Sequence, residues 1–330
     1  MKVVLHALPS VGACRSGAWL LLWGACTAWL GGCAGLDEHP APHAQALAAG
    51  VYWLPGSGGA ANPRNLGRIG NTGFIVGETG VVVIDTGTSH AHGKALLAAI
   101  QQVTNKPVRL ALLTHARPEF LFGGEAFREL GIPVRAHRQT AGLMVARCET
   151  CLERLRHDLG DVPMRGTLLY RPDQVFDATH DIDVLGGRVV QVLYFGHSSG
   201  PGDIAVLDKR SGVLFAGGLL DAQRVPDILD ADLAGWKRAL SELQALRPGM
   251  VVPGHGAATA AAVLIPAVAS YLQQMEARAR ALVDAGASLI HVADDSELPA
   301  FATWDQYQTI HPRNASTAFL RLERERMFNH

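Results

Sequence analysis

The stretch Phe195-Gly196-His197-Ser198-Ser199-Gly200-Pro201-Gly202-Asp203 decides how this chain is read. It follows an apolar, strand-like run, Arg188 to Tyr194, and precedes another, Ile204 to Leu207. A histidine set among glycines at a strand end is how a rigid sheet presents an imidazole to a metal ion or a substrate. Two further stretches share the pattern. Leu112-Leu113-Thr114-His115 closes the run from Val108, and Val252-Pro253-Gly254-His255-Gly256 closes the run from Met250. The chain holds 14 histidines, so placement rather than presence singles these out. His115, His197 and His255 are expected to converge on one pocket.

Outward from these loops, short apolar strands alternate with helical stripes. Val51 to Leu54, Gly73 to Gly77 and Val81 to Asp85 read as successive strands split by glycine turns. Ala91 to Val103 carries a helical stripe through Leu96, Leu97, Ile100 and Val103. Gly124 to Leu130 reads as a short helix, Pro133 to Ala136 as a strand and Thr140 to Leu159 as a helix. Beyond the middle loop, Val213 to Phe215 and Met250 to Val252 are strands. Asp232 to Leu246, Ala261 to Val283 and Thr317 to Met327 are helices. His90 and His92, where a loop enters a helix, are expected in solvent.

The three loops resemble those of the metallo-β-lactamase superfamily, which read Thr-His-x-His-x-Asp-His, Gly-His-(Ser/Thr)-x-Gly and Pro-Gly-His-Gly. The resemblance implies an α/β fold, a four-layer αββα sandwich with the site along the shared sheet edge. It also implies a metal-dependent hydrolase. The second and third loops match well; the first departs. The family's ligand positions fall on His115, Arg117, Glu119 and Phe120. Arg117 has no lone pair to offer and stays protonated, and Phe120 has no donor. Glu119 keeps a carboxylate one methylene longer than the family's aspartate. The bridging aspartate is also missing. Phe215-Ala216-Gly217-Gly218 puts Gly218 in its place, with Asp221 three residues on as a candidate substitute.

The surviving donors, His115, His197, His255 and either Asp221 or Glu119, would suffice for one zinc ion with a position left for water. They are too few for two. Arg117 beside a second cation would be costly, since two unit charges about 4 Å apart at a dielectric near 20 interact by roughly 4 kcal/mol. The same guanidinium suits a carboxylate or sulfur oxyanion, held in bidentate fashion. Asp85, in Ile84-Asp85-Thr86-Gly87, matches the family's Asp-Thr/Ser-Gly loop and is expected either to orient a histidine or to hold its own turn. Two functions follow. One is hydrolysis of a small ester, thioester, lactone or related carbonyl substrate by metal-activated water, with Asp85 and Asp221 assisting. The other is a non-catalytic descendant that binds an anion through Arg117, or a partner protein. Arg147 to Cys151, Gly217 to Leu220, Asp230 to Trp236 and His311 to Asn314 further resemble exported quinoprotein relay system zinc metallohydrolases. At His311, Pro312 reads as the first turn of a helix.

The ends set the compartment. Ala18 to Leu30 is an uncharged apolar stretch behind Lys2 and Arg15, too short for the ~20 residues of a membrane span and suited to a secretory signal. Leu30-Gly31-Gly32-Cys33 resembles a lipobox, so residues 1–32 are expected to be a signal peptide. Acylated Cys33 would tether the protein to the periplasmic face of a bacterial membrane. Residues 33–50 read as a linker and 51–330 as one domain. Of the 5 cysteines, Cys148 and Cys151 then remain, as a structural disulfide, idle thiols, a redox pair or a metal site. A formal net charge of -1 argues against nucleic acid.

Overall fold

The computed structural model describes residues 43–328. The expected signal peptide, Cys33 and the first part of the linker lie outside them. Alternation along each strand explains the architecture, because successive side chains leave a strand on opposite faces. In Val108–Leu113, Leu110 and Leu112 face a second sheet, while Ala111 and Leu113 face helices. In Ile204–Asp208, Ile204 and Val206 face the first sheet and Ala205 faces the other way. Two sheets with both faces buried require helices outside, and the result is the expected four-layer αββα sandwich.

The first sheet runs in chain order through β1 (Gln45–Ala48), β2 (Val51–Leu54), β3 (Thr72–Val76), β4 (Val81–Ile84), β5 (Val108–Leu113), β6 (Val134–His137) and β7 (Gln174–Phe176). Its outer face carries α1 (His90–Val103), the short turns α2 (Pro118–Leu121) and α3 (Gly124–Arg128), and α4 (Arg138–Leu159). The second sheet comprises β8 (His180–Ile182), β9 (Val190–Tyr194), β10 (Ile204–Asp208), β11 (Leu214–Gly217), β12 (Met250–Pro253) and β13 (Thr259–Ala260), hydrogen-bonded in order from β8 to β13. It is covered by α5 (Leu233–Leu246), α6 (Ala261–Asp284), α7 (Leu289–Asp295) and α8 (Tyr307–Phe328). Among the described residues no helix is long and apolar enough to cross a membrane.

Three expectations need correction. The linker does not reach residue 50, because Gln45–Ala48 pairs antiparallel with β2. The alanine-rich composition hid a strand whose partner, not its own propensity, holds it. The last helix starts at Tyr307, not Thr317, and Pro312 lies inside it. The bond that Pro312 cannot make is offset by burial of Tyr307, Ile310 and His311 around it. His92 is buried rather than solvated, and its Nδ1 accepts from the Thr88 N–H at 3.1 Å.

One buried ion pair bolts the sheets together. Arg188 Nε and Nη2 donate to the Asp208 carboxylate at 2.8 and 2.6 Å, and Nη1 donates to the carbonyls of Ala49 and Val76. Both side chains are buried. Removing one member of such a pair strands the other without water or partner. Arg188→Met is expected to lower unfolding free energy by about 3–5 kcal/mol, read as a shift of the urea midpoint without loss of the native far-ultraviolet signature.

Candidate anion pocket at the sheet ends

The candidate residues sit on loops that leave the ends of strands. Thr114 and His115 follow β5, Asp85 follows β4, Asp221 lies in the loop after β11, and His255 follows β12. Two glycines let these ends approach. A Cβ on Gly217, where φ is +50°, would lie 2.4 Å from Thr114 Oγ1. A Cβ on Gly218 would lie 2.8 Å from Asp203 Oδ2 and 3.0 Å from His115 Cδ2. The position that lacks the family's aspartate is therefore filled by Asp203, which accepts from the Ser199 hydroxyl at 2.7 Å. Burial raises Asp203 to about 6. Sequence reading passed over Asp203, though it closes the glycine-rich loop one residue before β10.

His255 has both ring nitrogens committed. Nδ1 lies 2.8 Å from Asp221 Oδ1, which also accepts the His255 backbone N–H, and Nε2 lies 3.0 Å from Glu119 Oε1. Burial works to lower the pKa of this imidazole, but the charge and hydrogen bond of Asp221 and the bond to Glu119 raise it. Glu119 answers in kind: burial pushes it up, yet the His255 hydrogen bond and charge, with Arg117, bring it down to about 2. Asp221 is likewise held below the usual carboxylate range despite its burial. The triad is an imidazolium clamped by two carboxylates. Asp221 serves His255 and does not fold back to the place of residue 218.

His115 has the opposite character. Burial, reinforced by Arg117, lowers it to about 3, so the ring is neutral. Its Nδ1 meets Thr114 Oγ1 at 2.7 Å, and Thr114 in turn reaches Asp85 Oδ2 at 2.7 Å. Asp85 Oδ1 also accepts the Thr114 backbone N–H. Asp85 thus orients a histidine, through a threonine hydroxyl rather than directly. Burial raises Asp85 to about 7, against the Thr114 hydrogen bonds. With Asp85 ionised, Thr114 donates to it and accepts from His115 Nδ1–H, leaving a lone pair on Nε2. With Asp85 protonated the relay reverses and Nε2 carries the hydrogen. That Nε2 is buried and has no partner.

The remaining expected ligands do not assemble around it. His197 is exposed, with Nε2 at 2.6 Å from the Asp230 carbonyl. The Phe120 ring packs on both His115 and His255, with centroids 4.3 and 5.2 Å away. Among the described residues no group of three His, Cys, Asp or Glu side chains is placed to hold a metal ion. The donor set does not fit zinc: Phe120 offers no lone pair, His255 spends both nitrogens, and His197 turns to a backbone carbonyl. The shared three-histidine centre is reduced to two histidines with different partners.

What the loops do assemble is a cavity of about 250 Å³ beside His115. Its walls carry Arg117, Arg147, Arg154 and Arg313 against Asp203, Asp227 and Asp230, together with Cys148 and Cys151. Arg117 is half-buried and donates to Asp227, whose carboxylate also accepts from Arg313. Arg147 pairs with Asp230 at 2.5 Å. Three motifs that stood apart in the sequence, around Arg147, Asp230 and Arg313, therefore meet at one rim. His311 takes no part, since Nδ1 meets the Tyr271 hydroxyl and Nε2 the Ser296 carbonyl.

The family follows from this frame. The sequence pattern of the metallo-beta-lactamase superfamily matches residues 66–255, and the chain belongs to that superfamily. Its fold is similar to a metallo-beta-lactamase from Pontibacter korlensis, with 23% identity over 70% of this chain and 99% of that one, at a TM-score of 0.57. A metallo-beta-lactamase from Hirschia baltica is similar at 21% identity, over 71% and 98% of the two chains, with a TM-score of 0.56. No curated protein matches the sequence.

Glu119→Gln tests the clamp. Removing one carboxylate is expected to lower the His255 pKa, so that a side-chain nitrogen titration followed by NMR shows it losing its proton at lower pH than in the parent. A His255 that is already neutral at pH 6 in the parent would show that the clamp does not hold a charge.

Proposed function

We propose that this chain is an anion-binding member of its superfamily, whose pocket takes a small molecule bearing a carboxylate or a sulfur oxyanion. The observation that carries this is Arg117, which stands where the family has a ligand and is held by Asp227 at the wall of the cavity beside His115. A guanidinium fork matches such groups in bidentate fashion. Superfamily members are typically metal-dependent hydrolases, but the donors of this pocket do not support a step routed through zinc. The same reading has the domain exported and tethered through Cys33, supported by the lipobox-like Leu30-Gly31-Gly32-Cys33. Kinship with quinoprotein relay system proteins is supported by the motifs around Arg147, Asp230 and His311.

Calorimetry with sulfate and succinate checks the anion reading. Arg117→Ala is expected to weaken binding by at least about tenfold, as the loss of a charge-assisted hydrogen bond of about 1.5–3 kcal/mol requires. Added zinc is expected to change nothing, and metal analysis after zinc loading to find well under one ion per chain. Stoichiometric zinc, or an Arg117→Ala variant that binds as the parent does, would sink the reading.

The pocket's own titration gives a second test. As pH falls through about 7 and then about 6, Asp85 and Asp203 take up protons. The first event turns His115 Nε2 into a donor and the second removes a negative charge from the wall. Anion affinity is therefore expected to rise toward acid pH. Asp85→Asn should give an affinity that no longer changes near pH 7 while keeping the step near pH 6.

A further inference from the structure

The wall facing His115 is one face of α4. Arg147, Cys148, Cys151 and Arg154 follow helical spacing and all line the cavity. Cys148 is buried and Cys151 half-buried, and both are free thiols, three residues apart on one helix. A second cavity, of about 440 Å³, shares Cys151 with the first and is also lined by Ala146, Leu155, Glu119 and Asp158. Cys151, Arg147 and Arg154 belong to both walls. The sulfur thus stands in the wall of two chambers, of which the one beside His115 holds the further arginines Arg117 and Arg313 and the other holds Glu119 and Asp158, so a molecule with two arms would place its anionic arm in the first.

We propose that Cys151 and Cys148 form a dithiol centre that reduces a small disulfide carrying a carboxylate or sulfonate, the anionic arm lying in the arginine-lined chamber. This rests on the anion-binding reading and names its substrate. In the first step the Cys151 thiolate attacks one sulfur of R–S–S–R′. A Cys151–S–S–R bond forms, the S–S bond of the substrate breaks, and R′–S⁻ leaves to take up a proton. Cys148, having lost its own proton, then attacks Cys151 Sγ and expels R–S⁻. Two electrons pass from the dithiol to the substrate, which ends as two thiols, and the chain ends with a Cys148–Cys151 disulfide. The division of labour follows exposure, since the accessible sulfur attacks and the buried one resolves.

Helical thiols at the middle of a helix lack the N-terminal dipole that activates them elsewhere. Here two guanidiniums take that part. Neighbouring Cys148, with the charges of Arg154 and Arg147, lowers Cys151 against its burial, while Cys148 is raised. Near neutral pH this favours the thiolate on the sulfur that faces the substrate.

The test uses the full chain with Cys14, Cys26 and Cys33 replaced by Ser, so that only the pair remains. Two probes are compared under pseudo-first-order conditions: dithiobis(nitrobenzoate), with a carboxylate on each half, and uncharged dithiodipyridine. After correction by the same ratio for free glutathione, the charged probe is expected to react at least about tenfold faster, as focused positive charge allows. About two chromophoric thiols should leave per chain, with no adduct retained. C148S should release one and keep a mixed disulfide at Cys151, and C151S should lose the fast phase. R147A/R154A should bring the probe ratio to that of glutathione. Equal rates for the two probes, faster reaction at Cys148, or a parent that stops at the mixed disulfide would overturn the proposal. C148S/C151S separates the two readings: if it binds succinate as the parent does, failure of the thiols leaves the anion pocket standing, and if Arg117→Ala binds unchanged the pocket itself fails.

Discussion

A histidine that donates from both ring nitrogens to carboxylates has no lone pair for a metal, and His255 is in that position. Asp221 and Glu119 hold it at 2.8 and 3.0 Å; the two carboxylates raise the imidazole's pKa, and the imidazole lowers theirs. The rest of the pocket depends on this clamp. It draws Glu119 to His255, and Glu119 does not line the chamber beside His115. It also sets Phe120, the next residue, against both imidazoles. With that corner closed, His115, whose Nε2 is buried without a partner, is the histidine that lines the cavity.

The same two sheets that present metal ligands elsewhere in the superfamily here present a pocket walled by arginines and aspartates. A strand end fixes the Cα of a loop residue, and the family frame survives because the core does not depend on what the loop tips carry. Leu110, Leu112, Ile204 and Val206 meet between the sheets whether residue 117 is a ligand or a guanidinium. The tips are free to change chemistry because packing is decided one turn away. Arg188 and Asp208 show the other side of this, an ionic contact placed where it secures the N-terminal hairpin and touches nothing in the pocket.

Much of this was readable in the sequence, for a definite reason. Strands buried on both faces give continuous apolar runs, and β5 was delimited at the residues where it lies. Helix stripes placed α1 and α5 nearly to the residue. What escaped was whatever takes its stability from elsewhere. β1 is alanine-rich and held by its partner, α7 is short, and the start of α8 is hidden by a proline inside it. At the site, motif positions located His115, His255, Asp85, Asp221 and Arg117 at the sheet ends, but a motif fixes position and not direction. His197 keeps its place on the loop while its ring turns to the Asp230 carbonyl. Asp203 fills the space vacated at 218, and the thiols of α4 face the same cavity. Those three facts depend on contacts between segments well separated along the chain, which no local pattern carries.

The electrostatic balance explains why the departures in the first loop come together. Glu119, Asp221, Asp203 and Asp85 gather at the sheet ends, and buried carboxylates without compensation are expensive. In a metal centre the ions supply the balancing charge. Here a protonated His255 and the guanidinium of Arg117 supply two positive charges on covalently tethered groups, and Asp85 and Asp203 relieve the remainder by drifting up to about 7 and 6. Arg117 alone beside an occupied metal site would be repelled, and Phe120 alone would leave that site a ligand short. Together with a histidine clamped between carboxylates they form a consistent set, in which tethered cations supply the charge that balances the buried carboxylates.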